Sequence, residues 1–157
     1  MIVAGTGHRP NKLGGYSDSV AAGLQHCALQ WLRLKEDDVT CVISGMALGW
    51  DQALASAAYS LGIPFHAYIP FEGQEKMWPR KSQDYFKWLL SRASNVVYTS
   101  DPEYAPWKMQ HRNEKMVDAC DRVLALWDGS SGGTGNCVAY ANKVGKPVTN
   151  LWEQYEY

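Results

Sequence analysis

The chain has no excess of charge of either sign. It carries 15 Lys and Arg against 16 Asp and Glu, for a formal net charge of −1. A protein that tracks nucleic-acid backbones through their phosphates needs a clear basic surplus. A nucleic-acid partner is therefore unlikely on composition, although the balance leaves room for a local basic patch. The sequence also lacks paired cysteines. Cys27, Cys41, Cys120 and Cys137 form no C-x-x-C motif, and three of them fall in apolar patterns. Neither a zinc site nor a disulfide framework is expected, and no metal cluster is visible. No run reads as a signal peptide or a membrane span, since Ile2-Val-Ala4 already has the pattern of a core strand. The expectation is a soluble, cytoplasmic protein with no membrane partner. Linkers, repeats and low-complexity stretches are missing too. The 157 residues fit one domain spanning 1–157.

What is present is alternation. Short apolar runs predict strands at 2–6, 39–44, 64–69, 95–99, 122–127 and 147–151. Between them, helical patterns cover 17–35, 50–62, 80–92, 108–119 and 134–144. Strand and helix in turn predict a Rossmann-like, three-layer α/β/α fold with a mainly parallel sheet. In such sheets ligands bind beyond the carboxyl ends of the strands. The loops after the helices are plain stops, Gly62-Ile-Pro64 and Gly145-Lys-Pro147. The loops after the strands carry the unusual residue types.

The stretch Asp128-Gly-Ser-Ser-Gly-Gly-Thr-Gly-Asn136 joins an apolar strand to a helix. Small residues let the main chain approach a ligand, and free N–H groups at the new helix start favour an anion. Asp128, Gly129, Gly132, Gly133 and Thr134 are its candidate ligand contacts. After the first strand, Gly7 permits close approach or a positive φ. Arg9 can fork onto a phosphate or carboxylate. His8 can donate to the same group, act as an acid–base residue, or anchor the long loop.

After the second strand, Ser44, Gly45 and Met46 form a second possible anion cradle. Asp51 follows in the first turn of the next helix, where it can accept ribose hydroxyls or stabilise the helix N-terminus. The 70–79 segment holds Gln74 and Glu75 on a lid-like loop, with Trp78 able to stack on a base, as Trp50 or Trp107 could. Arg112 and Asn113 sit on the fourth helix with Asp118 further along, a general base or a salt-bridge residue. The candidate catalytic carboxylates are Asp51, Glu75 and Asp118.

Taken in order, these motifs resemble the YpsA-like branch of the SLOG superfamily. They are Ser44-Gly-Met-Ala-Leu-Gly-Trp-Asp-Gln52, Ile69-Pro-Phe71 with Gln74 and Trp78, Met109 with Arg112-Asn113 and Met116-Val-Asp118, and Trp127-Asp-Gly129 with Gly132-Gly-Thr134. The opening Gly5-Thr-Gly-His-Arg-Pro10 is similar to phage or prophage members, which would place the protein in a host-cell cytoplasm. The resemblance implies a pocket for a nucleotide or nucleotide-derived ligand: a nucleoside phosphate, ADP-ribose or an NAD-like molecule. It also implies a possible homodimer, and no required cofactor; magnesium would enter only with a di- or triphosphate.

Two related groups set the alternatives. The LOG-type phosphoribohydrolases carry Arg-Lys on a helix and Gly-Gly-x-Gly-Thr-x-x-Glu. Here Arg112 matches the arginine, Asn113 replaces the lysine, and the glutamate register falls near Asn136 and Cys137. The missing acid favours a sensor or sequestering protein over a nucleotide N-glycosidase, unless Asp51, Glu75 or Asp118 supplies the carboxylate that an oxocarbenium-like transition state needs. The second group, DprA, implies single-stranded DNA binding through its Ser-Gly-x-Ala-x-Gly-x-Asp and Arg-Asn motifs.

Overall fold

The computed structural model describes residues 1–35 and 37–155. Its centre is a six-stranded sheet: β1 (Ile2–Gly7), β2 (Cys41–Ser44), β3 (Phe65–Ile69), β4 (Asn95–Tyr98), β5 (Arg122–Leu126) and β6 (Val148–Asn150). The spatial order is β4-β3-β2-β1-β5-β6, and every pairing is parallel. Five helices connect the strands: α1 (Asp18–Leu34), α2 (Trp50–Ser60), α3 (Arg80–Leu90), α4 (Pro106–Ala119) and α5 (Gly133–Lys143). The sheet and helices form the three-layer Rossmann-like arrangement.

Alternating side chains explain the layers. Val3, Val42, Phe65, Leu124 and Leu126 join the core under α1, α2 and α3. Their neighbours Ala4, Ile43 and Val123 turn to the opposite core, under Met116 and Val117 of α4 and Cys137 and Ala141 of α5. A strand buried on both faces reads as an unbroken apolar run, as β2 and β5 do.

Local signals set the helix ends. The Ser17 hydroxyl accepts from the Val20 amide and caps α1, with Asp18 in the first turn. Pro106 opens α4, two residues earlier than the pattern predicts. Gly62 and Gly145 close α2 and α5 in the left-handed region. Short 3-10 turns at Pro10–Lys12 and Trp152–Gln154 were not anticipated. The strand order turns outward on both sides of β1, so the crevice for a ligand lies between the β1 and β5 loops. Among the described residues, no helix is long and apolar enough to cross a membrane.

Candidate functional site

A cavity of about 350 Å³ opens at that crevice. The end of β1 contributes Thr6, Gly7, His8 and Arg9, and the turn after β5 contributes Ser131 to Gly135. Asp51 from α2 and Arg112 and Asn113 from α4 add polar side chains to the wall.

The N-terminus of α5 opens onto the cavity. Gly132 precedes the helix at φ +139°, a conformation that favours glycine. The amides of Gly133, Thr134 and Gly135 have no acceptor among the described residues, and the first inward helical bond is Asn136 N to Gly132 O at 2.9 Å. Three cations, Arg9, Lys12 and Arg112, share the lining with one acid, Asp51. Lys12 Nζ also donates to Ser130 Oγ at 3.0 Å, tying the two loops together.

Arg112 is buried at 5% exposure. Its Nη1 donates to Gly45 O at 2.7 Å and Tyr68 O at 3.3 Å, and its Nε to Asn113 Oδ1 at 3.0 Å. Nη2 has no partner among the described residues, so its two donors remain for a ligand. The guanidinium lies flat on Gly45, where a Cβ would come within 2.5 Å of Nη1. That contact gives Gly45 its requirement for glycine. Burial lowers the Arg112 pKa, opposed by the Asp51 carboxylate; the group stays charged at neutral pH because its ordinary value is so high.

Asp51 is likewise buried, and its Oδ2 accepts from the Ala47 amide at 3.4 Å. Burial raises its carboxyl from 3.8 to about 6, against the lowering pull of Arg112, the Ala47 amide and Arg9. The folded state thus holds the Asp51 proton more tightly than the unfolded chain. The Asp51 contribution to stability is greatest below the unfolded value, near 4, and is lost as pH rises through about 6. Asp51→Asn should therefore stabilise the free protein at pH 7.5 by about 1–3 kcal/mol and flatten its stability between pH 4 and 7. Urea midpoints across that range check this; a lower midpoint for the variant at pH 7.5 would contradict it.

The β1 and β5 loops meet through His8 and Asp128. His8 is buried, and its Nε2 lies 2.8 Å from Asp128 Oδ1. Hydrogen bonds from the Ser130 hydroxyl and amide, with a further one from His8, hold the Asp128 carboxyl well below the usual carboxylate range. The Asp128 amide also lies 3.1 Å from Nε2. With the carboxylate ionised, Nε2 keeps its proton and the shorter contact is the hydrogen bond. Asp128 and Gly129 shape this turn and do not line the cavity.

Several candidates sit elsewhere. Ser44 is fully buried: its Oγ donates to Asp51 O at 2.8 Å and accepts from Met46 N at 3.1 Å. Met46 is a core residue at φ +61°. The Met46 and Ala47 amides of this turn are thus used internally, by Ser44 and Asp51. Gln74 Nε2 donates to Gly45 O at 3.3 Å, behind the Arg112 guanidinium. Trp78, half-buried, packs edge-on against the core residue Phe86, and Trp50 is fully buried. Trp107 is exposed and does not line the cavity.

Glu75 is half-buried outside the cavity, with Oε2 unpartnered among the described residues. Asp118 accepts from Tyr140 Oη at 2.7 Å near the C-terminus of α4. Six residues of helix carry it about 9 Å past Arg112, toward the amino edge of the sheet. The cavity also includes Thr6, Asn11, Lys12, Ala47, Met109, Ser131 and Gly135, which the sequence reading did not single out as ligand contacts. Met109 stands three residues before Arg112, a spacing that puts both on one helix face and could have revealed it.

The four cysteines are free and buried. Burial raises all four thiols, Cys137 to about 11, so none is a ready nucleophile. Among the described residues, no group of three His, Cys, Asp or Glu could hold a metal ion.

The YpsA family model, described as the YspA SLOG family, matches residues 3–148. The chain belongs to that family. One relative is the SPbeta prophage-derived protein YoqJ of Bacillus subtilis, 34% identical over 119 residues, which cover 65% of this chain and 69% of YoqJ. Among solved structures, DNA processing protein A from Helicobacter pylori superposes with a TM-score of 0.68 at 18% identity, over 96% of this chain. This YpsA-family chain spans 64% of that protein, which is described for its single-stranded DNA binding mode. The molybdenum cofactor carrier protein of Chlamydomonas reinhardtii superposes with a TM-score of 0.59 at 14% identity, over 95% of this chain and 74% of that one. At these identities the two structures establish the fold.

Proposed function

We propose that the protein binds a nucleotide or nucleotide-derived ligand at the β1–β5 crevice, as a sensor or sequestering protein. The observation that carries this reading is Arg112: a buried guanidinium with Nη2 unpaired among the described residues, on the wall of a cavity that ends on the open N-terminus of α5. In this reading a phosphate sits on the amides of Gly133, Thr134 and Gly135, with charge from Arg112 and Arg9. Asp51, acidic and repellent to phosphate, accepts ribose hydroxyls.

The volume adds a size limit. A cavity of about 350 Å³ lies at the small end of ligand sites, which run from about 300 to 1,000 Å³. It suits a mononucleotide better than ADP-ribose or NAD. No cofactor is invoked; magnesium would accompany only a di- or triphosphate.

A second reading rests on Asp51. A buried carboxyl raised to about 6 is poised to exchange a proton near neutral pH, as an N-glycosidic bond hydrolase requires. One experiment separates the readings. The full chain is incubated with nucleoside mono-, di- and triphosphates, cyclic nucleotides, ADP-ribose, NAD and a short single-stranded oligonucleotide. Native mass spectrometry reads what is retained, and chromatography reads any free base. The expected result is one intact mononucleotide retained without turnover. Base release abolished by Asp51→Asn would instead make the protein an N-glycosidase. Retention of the oligonucleotide alone would overturn both.

A further inference from the structure

A second, larger cavity of about 610 Å³ lies between the N-terminal parts of α1 and α3 and the face of α2. It shares no lining residue with the crevice at β1 and β5. Tyr16, Val20, Ala53 and Tyr85 give it apolar walls. Its two charged lining residues, Asp18 and Lys81, lie 3.6 Å apart on the exposed rim, so the buried part of the lining carries no charge. A charged ligand would therefore meet no unpaired counter-charge inside.

Of the uncharged polar side chains in the lining, Ser17, Gln25, Ser56 and Ser82 are exposed or half-buried, and Gln25 Nε2 donates to Ser56 Oγ at 2.9 Å. Gln52 is the buried one, at 7% exposure. Its Nε2 donates to Met46 O at 3.1 Å, which fixes the amide orientation. Oε1 then has no donor among the described residues, and it is not among the sealed, unpartnered atoms. Gln52 lines the cavity, which offers this acceptor a donor from a bound molecule. An acceptor so deeply placed costs stability unless something donates to it. Apolar walls around a fixed polar group are the usual design of a small-molecule site.

The geometry points to a second ligand site here, for a neutral, largely apolar small molecule that presents one N–H or O–H donor to Gln52 Oε1. Binding at this site is independent of the nucleotide reading of the crevice.

The test uses two probes that differ in that donor: indole, and 1-methylindole, which lacks the N–H. Both are titrated by calorimetry into the full-length wild-type chain, Gln52→Met and Ala21→Trp. Ala21 lines the cavity and is exposed, so the tryptophan fills the space without entering the core. Indole should bind the wild type saturably at one site, about fivefold tighter than 1-methylindole, the worth of one hydrogen bond. Gln52→Met should abolish that preference, and Ala21→Trp should abolish binding of both probes. Failure of indole to saturate, or equal binding of the two probes to the wild type, would overturn the assignment. So would sedimentation showing a dimer that Ala21→Trp dissociates, because a second copy of the chain would then cover this face.

Discussion

Arg112→Ala should lose about 1.5–3 kcal/mol of mononucleotide affinity, a weakening of roughly 10- to 150-fold. The loss has two sources. The ligand loses the unpaired Nη2 donors, the deepest positive charge in the cavity. The wall also loses its support, because Gly45 O and Tyr68 O each lose the Nη1 donor and Asn113 Oδ1 loses Nε. Gly45 O keeps only the longer bond from Gln74 at 3.3 Å. Free-protein stability should therefore fall as well, by about 1–3 kcal/mol for the orphaned carbonyls. Arg112→Lys should recover part of the affinity and little of the stability, since an ammonium restores charge without the planar fork. Calorimetric titration of the retained mononucleotide, beside urea unfolding of each variant, separates the two effects. A folded Arg112→Ala protein with unchanged affinity would remove Arg112 from the site.

The largest loss of stability should come from Trp50→Ala, about 3–5 kcal/mol. The indole is fully buried at the start of α2, and its Nε1 donates to Leu124 O of β5 at 3.3 Å. It lies against β1 so closely that a Cβ on Gly7 would sit 2.5 Å from Trp50 Cδ1. Gly7 is thus glycine to admit the tryptophan, and its cavity-lining face is incidental to that role. Gly7→Ala alone should cost about 1–3 kcal/mol by overpacking. In the double variant the added methyl escapes Cγ and Cδ1 of the indole, while its 2.5 Å approach to the Cβ of residue 50 remains, so the strain is relieved in part. The combined loss should then be smaller than the sum, by at least about 0.5 kcal/mol. Urea denaturation of the four proteins completes the cycle; strict additivity would mean that Gly7 and Trp50 do not share this space.

Alternation of apolar runs and helical patterns was enough to read the fold, because burial on both faces leaves continuous apolar strands and amphipathic covers. The glycine turn at 128–136 was equally legible, since few other roles need so many small residues between strand and helix. What the sequence could not convey was direction. Ser44 and Met46 have the residue types of a ligand turn, yet the Ser44 hydroxyl points at Asp51 O and Met46 enters the core. Trp50 and Trp78 have the rings to stack on a base, and both are spent on packing. Asp118 was misplaced through helix length, because residues on one helix need not share one end of it. Lys12 was not singled out as a contact because a 3-10 turn, with no periodicity of its own, carries it to Ser130.

The seam between β1 and β5 also has a consequence in time. It pairs Val3–Gly7 with Arg122–Leu126, and its crossing bond joins His8 to Asp128, 120 positions apart. Local helices form fast, whereas a pairing this distant must first close a very long loop. During synthesis β1 emerges first yet waits for β5 before its second edge is covered. The crevice exists only once that edge closes, so ligand competence is among the last properties the chain acquires. A ligand that bridges the two loops would hold shut the seam that forms last.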